Sequence, residues 1–271
     1  LVLFSLITVG YSANALGGAG GPLAVLIIAI VAAELGKAVS KETKVDILVT
    51  PLVTIFAGVG LSMLIAAPIG AAASQVGTLI MWATEQAPLV MGILVSVIVG
   101  VALTLPISSA AICAALGLTG LAGGAAVAGC CAQMVGFAVM SYKENGVGGL
   151  VSQGLGTSML QMGNIIKNPR IWIAPTLASA ITGPLATCLF HFEMNGAAVS
   201  SGMGTCGLVG QIGVYTGWVS DIAAGTKAAI TPMDWAAMVL LCFVLPAVLS
   251  VVFCAVERKL GWIKEGDLKL N

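Results

Sequence analysis

Between Arg170 and Asp221 the only acidic or basic side chains are His191 and Glu193, in the run His191-Phe192-Glu193-Met194-Asn195-Gly196. His191 is the only histidine of the chain. A carboxylate accepts two hydroxyl hydrogen bonds, and charge-assisted bonds are the stronger kind. A neutral imidazole gives one bond and takes one, and an asparagine amide does both. This trio therefore has the donors and acceptors of a site for a small polar molecule. Apolar segments long enough to cross a bilayer flank the run on both sides. A carboxylate is expensive to keep in such a setting, which makes it a functional candidate. The competing reading is a plain polar loop between two spans, wet on one side.

The elements that must position these residues are membrane helices. The chain has 271 residues, 59% hydrophobic and 8% charged, with a mean hydropathy of +1.08. Soluble domains carry about 25% charged residues. The composition predicts an all-α, polytopic transmembrane bundle, one membrane-embedded domain over 1–271. A net charge of zero excludes a strongly basic nucleic-acid binder. The chain begins with Leu1, and the expectation is that the natural N-terminus lies further upstream. The seven cysteines form no C-x-x-C pair, and with one histidine they do not make an ordinary zinc site. They read as small packing residues. No metal or cofactor is expected. Thirty-five glycines and few aromatics favour close helix packing and broken helices.

Taken in order, residues 1–16 read as a partial span, broken by the glycines at 17–21. Residues 22–38 form a second apolar segment, with Glu34 and Lys37 as a membrane-edge pair. Lys37–Asp46 is a lysine-bearing loop, expected on the cytoplasmic side. Clear spans follow at 47–67 and 87–105, with 68–85 as a further span or an interfacial helix. No charged residue stands between Glu85 and Lys143, which is too long for one helix. The stretch 106–118, rich in small residues after Pro106, reads as a re-entrant hairpin leading to a span at 119–142; an ordinary tight turn is the alternative. Lys143–Arg170 is the longest polar stretch, with a short amphipathic helix expected within 159–167. A span at 171–190 leads to the His191 run, and glycines at 202–213 allow close backbone approach. Trp218–Asp234 reads as a loop, 235–256 as the last span, and Glu257–Asn271 as a charged cytoplasmic tail. Six spans result, and that count places Lys143, Lys167 and Arg170 outside, against the charge rule. Ser108, Ser109, Ser200 and Ser201 are the expected opposite wall of the site, if the two small-residue segments meet at mid-membrane.

No G-x-x-x-x-G-K-[ST] loop is present, which removes an ATP-driven engine. No serine–histidine–carboxylate set is plausible with the one histidine in a membrane segment. The blocks Pro106-Ile107-Ser108-Ser109-Ala110, Lys167-Asn168-Pro169-Arg170-Ile171-Trp172, and His191 to Gly196 followed by Ser201-Gly202-Met203-Gly204 together resemble one family. They are similar to the membrane subunit, enzyme IIC, of the bacterial phosphotransferase system, in its stand-alone type 2 branch. The resemblance covers roughly 20–257. It implies an all-helical, dimeric permease of the bacterial cytoplasmic membrane with re-entrant hairpins. It implies elevator-like carriage of a sugar that a partner IIB protein, itself served by IIA, phosphorylates inside. It implies that Glu193 and His191, with Asn195 beside them, bind sugar hydroxyls. The G-I-T-E motif of the glucose-type relatives is absent, as are fused IIA and IIB domains. A membrane sensor that binds a ligand without moving it is therefore the alternative, and an ion-coupled carrier is a third reading. Any phosphotransferase chemistry would need the separate partner.

Overall fold

The computed structural model describes residues 21–40, 46–105 and 107–270. The expected partial span at 1–16, most of the glycine break, the lysine loop over 41–45 and Pro106 lie outside them. Every named element among the described residues is helical, and the one β-type contact is a bridge between Gly120 and Met194. Contacts divide the chain into two compact units. One holds the described residues up to Gly77 with Ala114–Leu116, and the other holds Thr78–Cys113 and Gly117 onward.

In the first unit, α1 (Gly21–Val39) packs Ala24 and Ile28 against Ala66, flanked by Leu61, Ile65 and Ile69. Lys37 and Glu34 pair at 3.6 Å with both side chains mostly exposed. The helix α2 (Asp46–Gln86) runs unbroken through Pro51 and Pro68 for 41 residues, about 60 Å at 1.5 Å per residue. The expected change of element after Ala67 does not occur. A proline removes one backbone donor, and apolar helices tolerate it where local adjustment re-satisfies the freed carbonyl.

The second unit is built on α3 (Pro88–Thr104), α5 (Gly120–Met140) and α8 (Ile173–Pro184). Glycine and serine set their approach. A Cβ on Gly129 would stand 2.0 Å from the Ser96 carbonyl oxygen, and one on Gly100 would stand 2.8 Å from that of Gly129. Ser96 Oγ donates to the Ser179 carbonyl at 2.8 Å, and Ser179 Oγ to that of Gly129 at 3.2 Å. The Cys130 thiol donates to the Val99 carbonyl, and Thr104 Oγ1 to Gln133 Oε1. Ser96, Val99 and Thr104 thus meet Gly129, Cys130 and Gln133 in ascending order, so α3 and α5 run parallel. Thr187 Oγ1 donates to the Pro88 carbonyl, which makes α8 antiparallel to both.

Parallel neighbours require a return between them. Residues 107–119 make it as a short helix, α4 (Ser109–Leu116), set between turns, with Gly117 and Gly120 in the left-handed region. The stretch expected as a re-entrant hairpin runs back along the helix pair instead, broken by turns on either side of α4. That additional passage moves Lys143, Lys167 and Arg170 to the end of the bundle that carries the C-terminal tail. Asn168 Nδ2 donates to the Trp262 carbonyl, Arg170 lies over the Trp262 ring at 5.5 Å, and Arg258 pairs with Glu144 at 2.8 Å. The conflict with the charge rule disappears.

Two other segments enter the bundle from opposite ends. From the basic end come α6 (Tyr142–Val151), a π turn (Ser152–Gly156), a 3-10 turn (Ser158–Gln161) and α7 (Met162–Lys167). Within this polar stretch the amides Gln153, Gln161 and Asn164 are buried and linked in a chain. Gln161 donates to Gln153, Gln153 to Ser141, and Asn164 to Gln161. From the other end, 191–208 descends along α5 from Gly120 to Cys130, turns at Gly207 and Leu208 (φ 53° and 57°), and returns as α9 (Val209–Ala223). The expected loop from Trp218 is helical as far as Ala223. The two segments touch where Thr205 Oγ1 donates to the Gly154 carbonyl at 2.5 Å, beside Met134. The chain closes with α10 (Pro232–Val239), a π turn, and α11 (Leu245–Lys259). Among the described residues, four helical stretches are long and apolar enough to cross a membrane: Asp46–Gln86, Gly120–Met140, Pro169–Leu189 and Pro232–Lys259.

Candidate functional site

The run from His191 is an extended segment with alternating faces, the period of two that a strand-like backbone imposes. Phe192 and Met194 are buried, while His191, Glu193 and Asn195 face outward. Three backbone ties fix this register. Phe192 N–H donates to the Ala186 carbonyl at 2.8 Å, folding the run back on the π turn (Leu185–Leu189) that ends α8. Met194 and Gly120 exchange both backbone bonds at 3.0 Å. His191 adopts φ 43°, a left-handed conformation unusual for a residue with a side chain. Such local strain persists only where surrounding contacts over-determine it, and it concentrates at functional sites. Here the anchors are Phe192 and Met194, packed in one core with Val127, Val214 and Trp218.

Glycines let the other walls close on the run. A Cβ on Gly217 would stand 2.8 Å from the Asn195 nitrogen, and one on Gly196 would stand 2.2 Å from the Gly213 carbonyl oxygen. With both positions bare, α9 lies directly on the segment and brings Trp218 and Asp221 beside it. The following loop supplies Thr226 and Lys227, and α10 supplies Met233, Asp234 and Ala237. These residues with Phe190, His191, Phe192, Glu193 and Asn195 line a cavity of about 470 Å³. That volume suits a small solute.

Polar groups in the cavity are ordered by two links. Asn195 Nδ2 donates to Glu193 Oε2 at 3.0 Å and to Asp221 Oδ2 at 2.9 Å, so one amide spans two carboxylates. Lys227 Nζ pairs with Asp234 Oδ1 at 2.9 Å and lies 5.8 Å from the Trp218 ring centroid. Asp234 also closes a capping box with Thr231 at the start of α10, which fixes the loop against the helix. Trp218 is in turn set edge-on to Trp235 at 5.6 Å. Carboxylates, an amide and an aromatic wall offer hydrogen-bond acceptors, donors and an apolar face. Such a wall can hydrogen-bond a polar solute and pack against its apolar face.

His191, Glu193 and Asn195 line the same cavity. The serines do not join them. Ser108 is exposed and its Oγ accepts from the Ala111 N–H in the first turn of α4. Ser109 Oγ donates to the Gly202 carbonyl at 2.7 Å, and Ser201 Oγ to the Leu118 carbonyl at 2.6 Å. Ser200 packs against Gly213. The two small-residue segments do meet, and their hydroxyls are spent on each other's backbone. Sequence reasoning missed Trp218, Asp221, Thr226, Lys227 and Asp234 because it assigned them to a connecting loop. The available signal was the cluster of two acids, a lysine and two tryptophans within 218–235.

No curated protein and no solved structure matches the chain. The family model described as "Phosphotransferase system, EIIC" matches residues 3–270. That match takes in the parallel helix pair, the two entering segments and the cavity together. With nearly its whole length covered, this all-helical, multi-pass membrane chain belongs to the phosphotransferase system EIIC family.

Proposed function

We propose that this permease subunit of a phosphotransferase system carries a sugar or sugar-like solute, bound first in the 470 Å³ cavity. Glu193 and Asp221 accept hydroxyl hydrogen bonds, Asn195 and His191 position the solute, and Trp218 forms the apolar wall. The observation that carries this reading is the convergence of Glu193, Asn195 and Asp221 on one cavity from two chain segments. Nothing in the cavity need transfer a phosphoryl group, since in this reading the donor is a separate IIB protein. Ser109 and Ser201 brace the scaffold behind the site.

Charge supports an orientation in the bacterial plasma membrane. The end opposite the cavity carries Lys143, Lys167, Arg170, Lys259, Lys264 and Lys269 exposed. Among the described residues of the same unit, Lys227 is the basic side chain at the cavity end, and it is paired with Asp234. Lysine and arginine collect on the cytoplasmic side, so the cavity opens outward and the basic end meets the cytoplasmic IIB partner.

The test is solute binding to purified protein, and accumulation in vesicles containing phosphorylated IIB, for the native chain and Glu193→Ala. Loss of a charge-assisted acceptor, about 1.5–3 kcal/mol, predicts binding at least about tenfold weaker. Unchanged binding and uptake in the variant refute the site. Binding with no accumulation in the native chain favours the sensor reading.

A further inference from the structure

The cavity is more acidic than a neutral sugar requires. Glu193 and Asp221 each accept one side-chain hydrogen bond, both from the same nitrogen, Nδ2 of Asn195. Their oxygens therefore lie within two hydrogen-bond lengths of each other. Among the described residues, neither carboxylate is in an ion pair. The one lysine on the cavity wall is committed elsewhere, to Asp234 and to the face of Trp218. The walls thus present two neighbouring negative charges bridged by one uncharged amide.

Like charges at this separation repel, and the repulsion grows as a bound solute displaces water and lowers the local dielectric. A neutral polyol satisfies the oxygens as acceptors and leaves the repulsion in place. An ammonium group satisfies the oxygens and also offsets the repulsion, with three donors and one positive charge on a compact head. Asn195 shows the geometry is attainable, since its NH2 already gives one hydrogen to each carboxylate. An anionic solute such as a sugar acid or sugar phosphate meets repulsion from both sides.

We infer that the solute taken by this cavity carries an amine, and that Glu193 and Asp221 select it as an amino sugar or similar amine-bearing polyol. The inference rests on the reading of the cavity as the substrate site. Its test compares matched pairs on the purified protein by calorimetry: glucosamine with glucose, galactosamine with galactose, mannosamine with mannose. N-acetylglucosamine is added as the uncharged amide. The expected result is one amino sugar binding at least about tenfold more tightly than its parent, with acetylation abolishing the preference. In Glu193→Gln and in Asp221→Asn, which keep the side-chain shape, the preference should fall severalfold. A parent sugar that binds as well as its amine, and that is weakened by Glu193→Gln, overturns the inference and leaves the cavity reading standing. No binding by any of these sugars, or binding indifferent to both substitutions, overturns the cavity reading and this inference with it.

Discussion

Gly124→Ala tests the link between helix packing and the site. Gly124 lies in α5, and a Cβ there would stand 1.7 Å from the carbonyl oxygen of Phe192, where ordinary contact begins at 3.4 Å. The obstacle is backbone, so no rotamer change relieves it. The peptide between His191 and Glu193 must retreat by more than an ångström, and Phe192 must leave the core it shares with Val127 and Trp218. Overpacking of this kind costs about 1–3 kcal/mol of stability. The functional loss should be larger in proportion, because Glu193 and Asn195 move with that peptide and no longer converge with Asp221. Loss of one charge-assisted bond alone corresponds to about 1.5–3 kcal/mol, or at least about tenfold in Kd. The assay is thermal unfolding in detergent beside solute binding. Gly163→Ala is the control, since a Cβ there meets nothing within 4 Å. It should be neutral or raise stability by up to about 1 kcal/mol through helix propensity. A Gly124→Ala protein with native unfolding temperature and native affinity would refute the packing argument.

Three other outcomes follow from the same structure. Glu257 is 4% exposed, and neither of its carboxylate oxygens has a hydrogen-bond partner; Glu257→Leu removes an unsatisfied buried acid and should raise the unfolding temperature, by about 1–3 kcal/mol of stability. Leu268 is fully buried, and its backbone is held by Glu144, Asn145 and Gln161; Leu268→Ala should cost about 2–5 kcal/mol in a denaturation series and expose the tail to protease. Thr205→Val removes the hydroxyl that joins the two entering segments at Gly154; hydrogen exchange at 152–156 and 203–208 should rise severalfold while cavity binding changes little, and unchanged exchange would show that contact to be inert.

Much of the candidate site was legible in the run itself. His191, Glu193 and Asn195 alternate with Phe192 and Met194, and an extended backbone sends those two sets to opposite faces. The partner wall was not legible. Asp221 reaches Asn195 only because Gly213 and Gly217 let α9 lie on the run, and Lys227 enters through the capping box at Thr231. Ser109 and Ser201 show the reverse case. Their residue type fits a polar wall, and only the fold shows their hydroxyls spent on the Gly202 and Leu118 carbonyls.

The sequence by itself determined the solvent and the class of element. Low charge and long apolar runs force the backbone to satisfy itself within helices, and the family blocks placed the chain among permeases. Only the tertiary structure decided the direction of the chain at 107–119, the burial of the amides Gln153, Gln161 and Asn164 within 142–168, and the hairpin at 191–223. Those segments are too polar, too short or too rich in glycine to show a helical period. Their backbone groups find partners such as Gly202 for Ser109, Gly154 for Thr205 and Leu268 for Gln161, all far away in sequence. A hydrogen bond between distant residues leaves no local pattern, so their paths, and with them the shape and charge of the cavity, exist only once the bundle has closed.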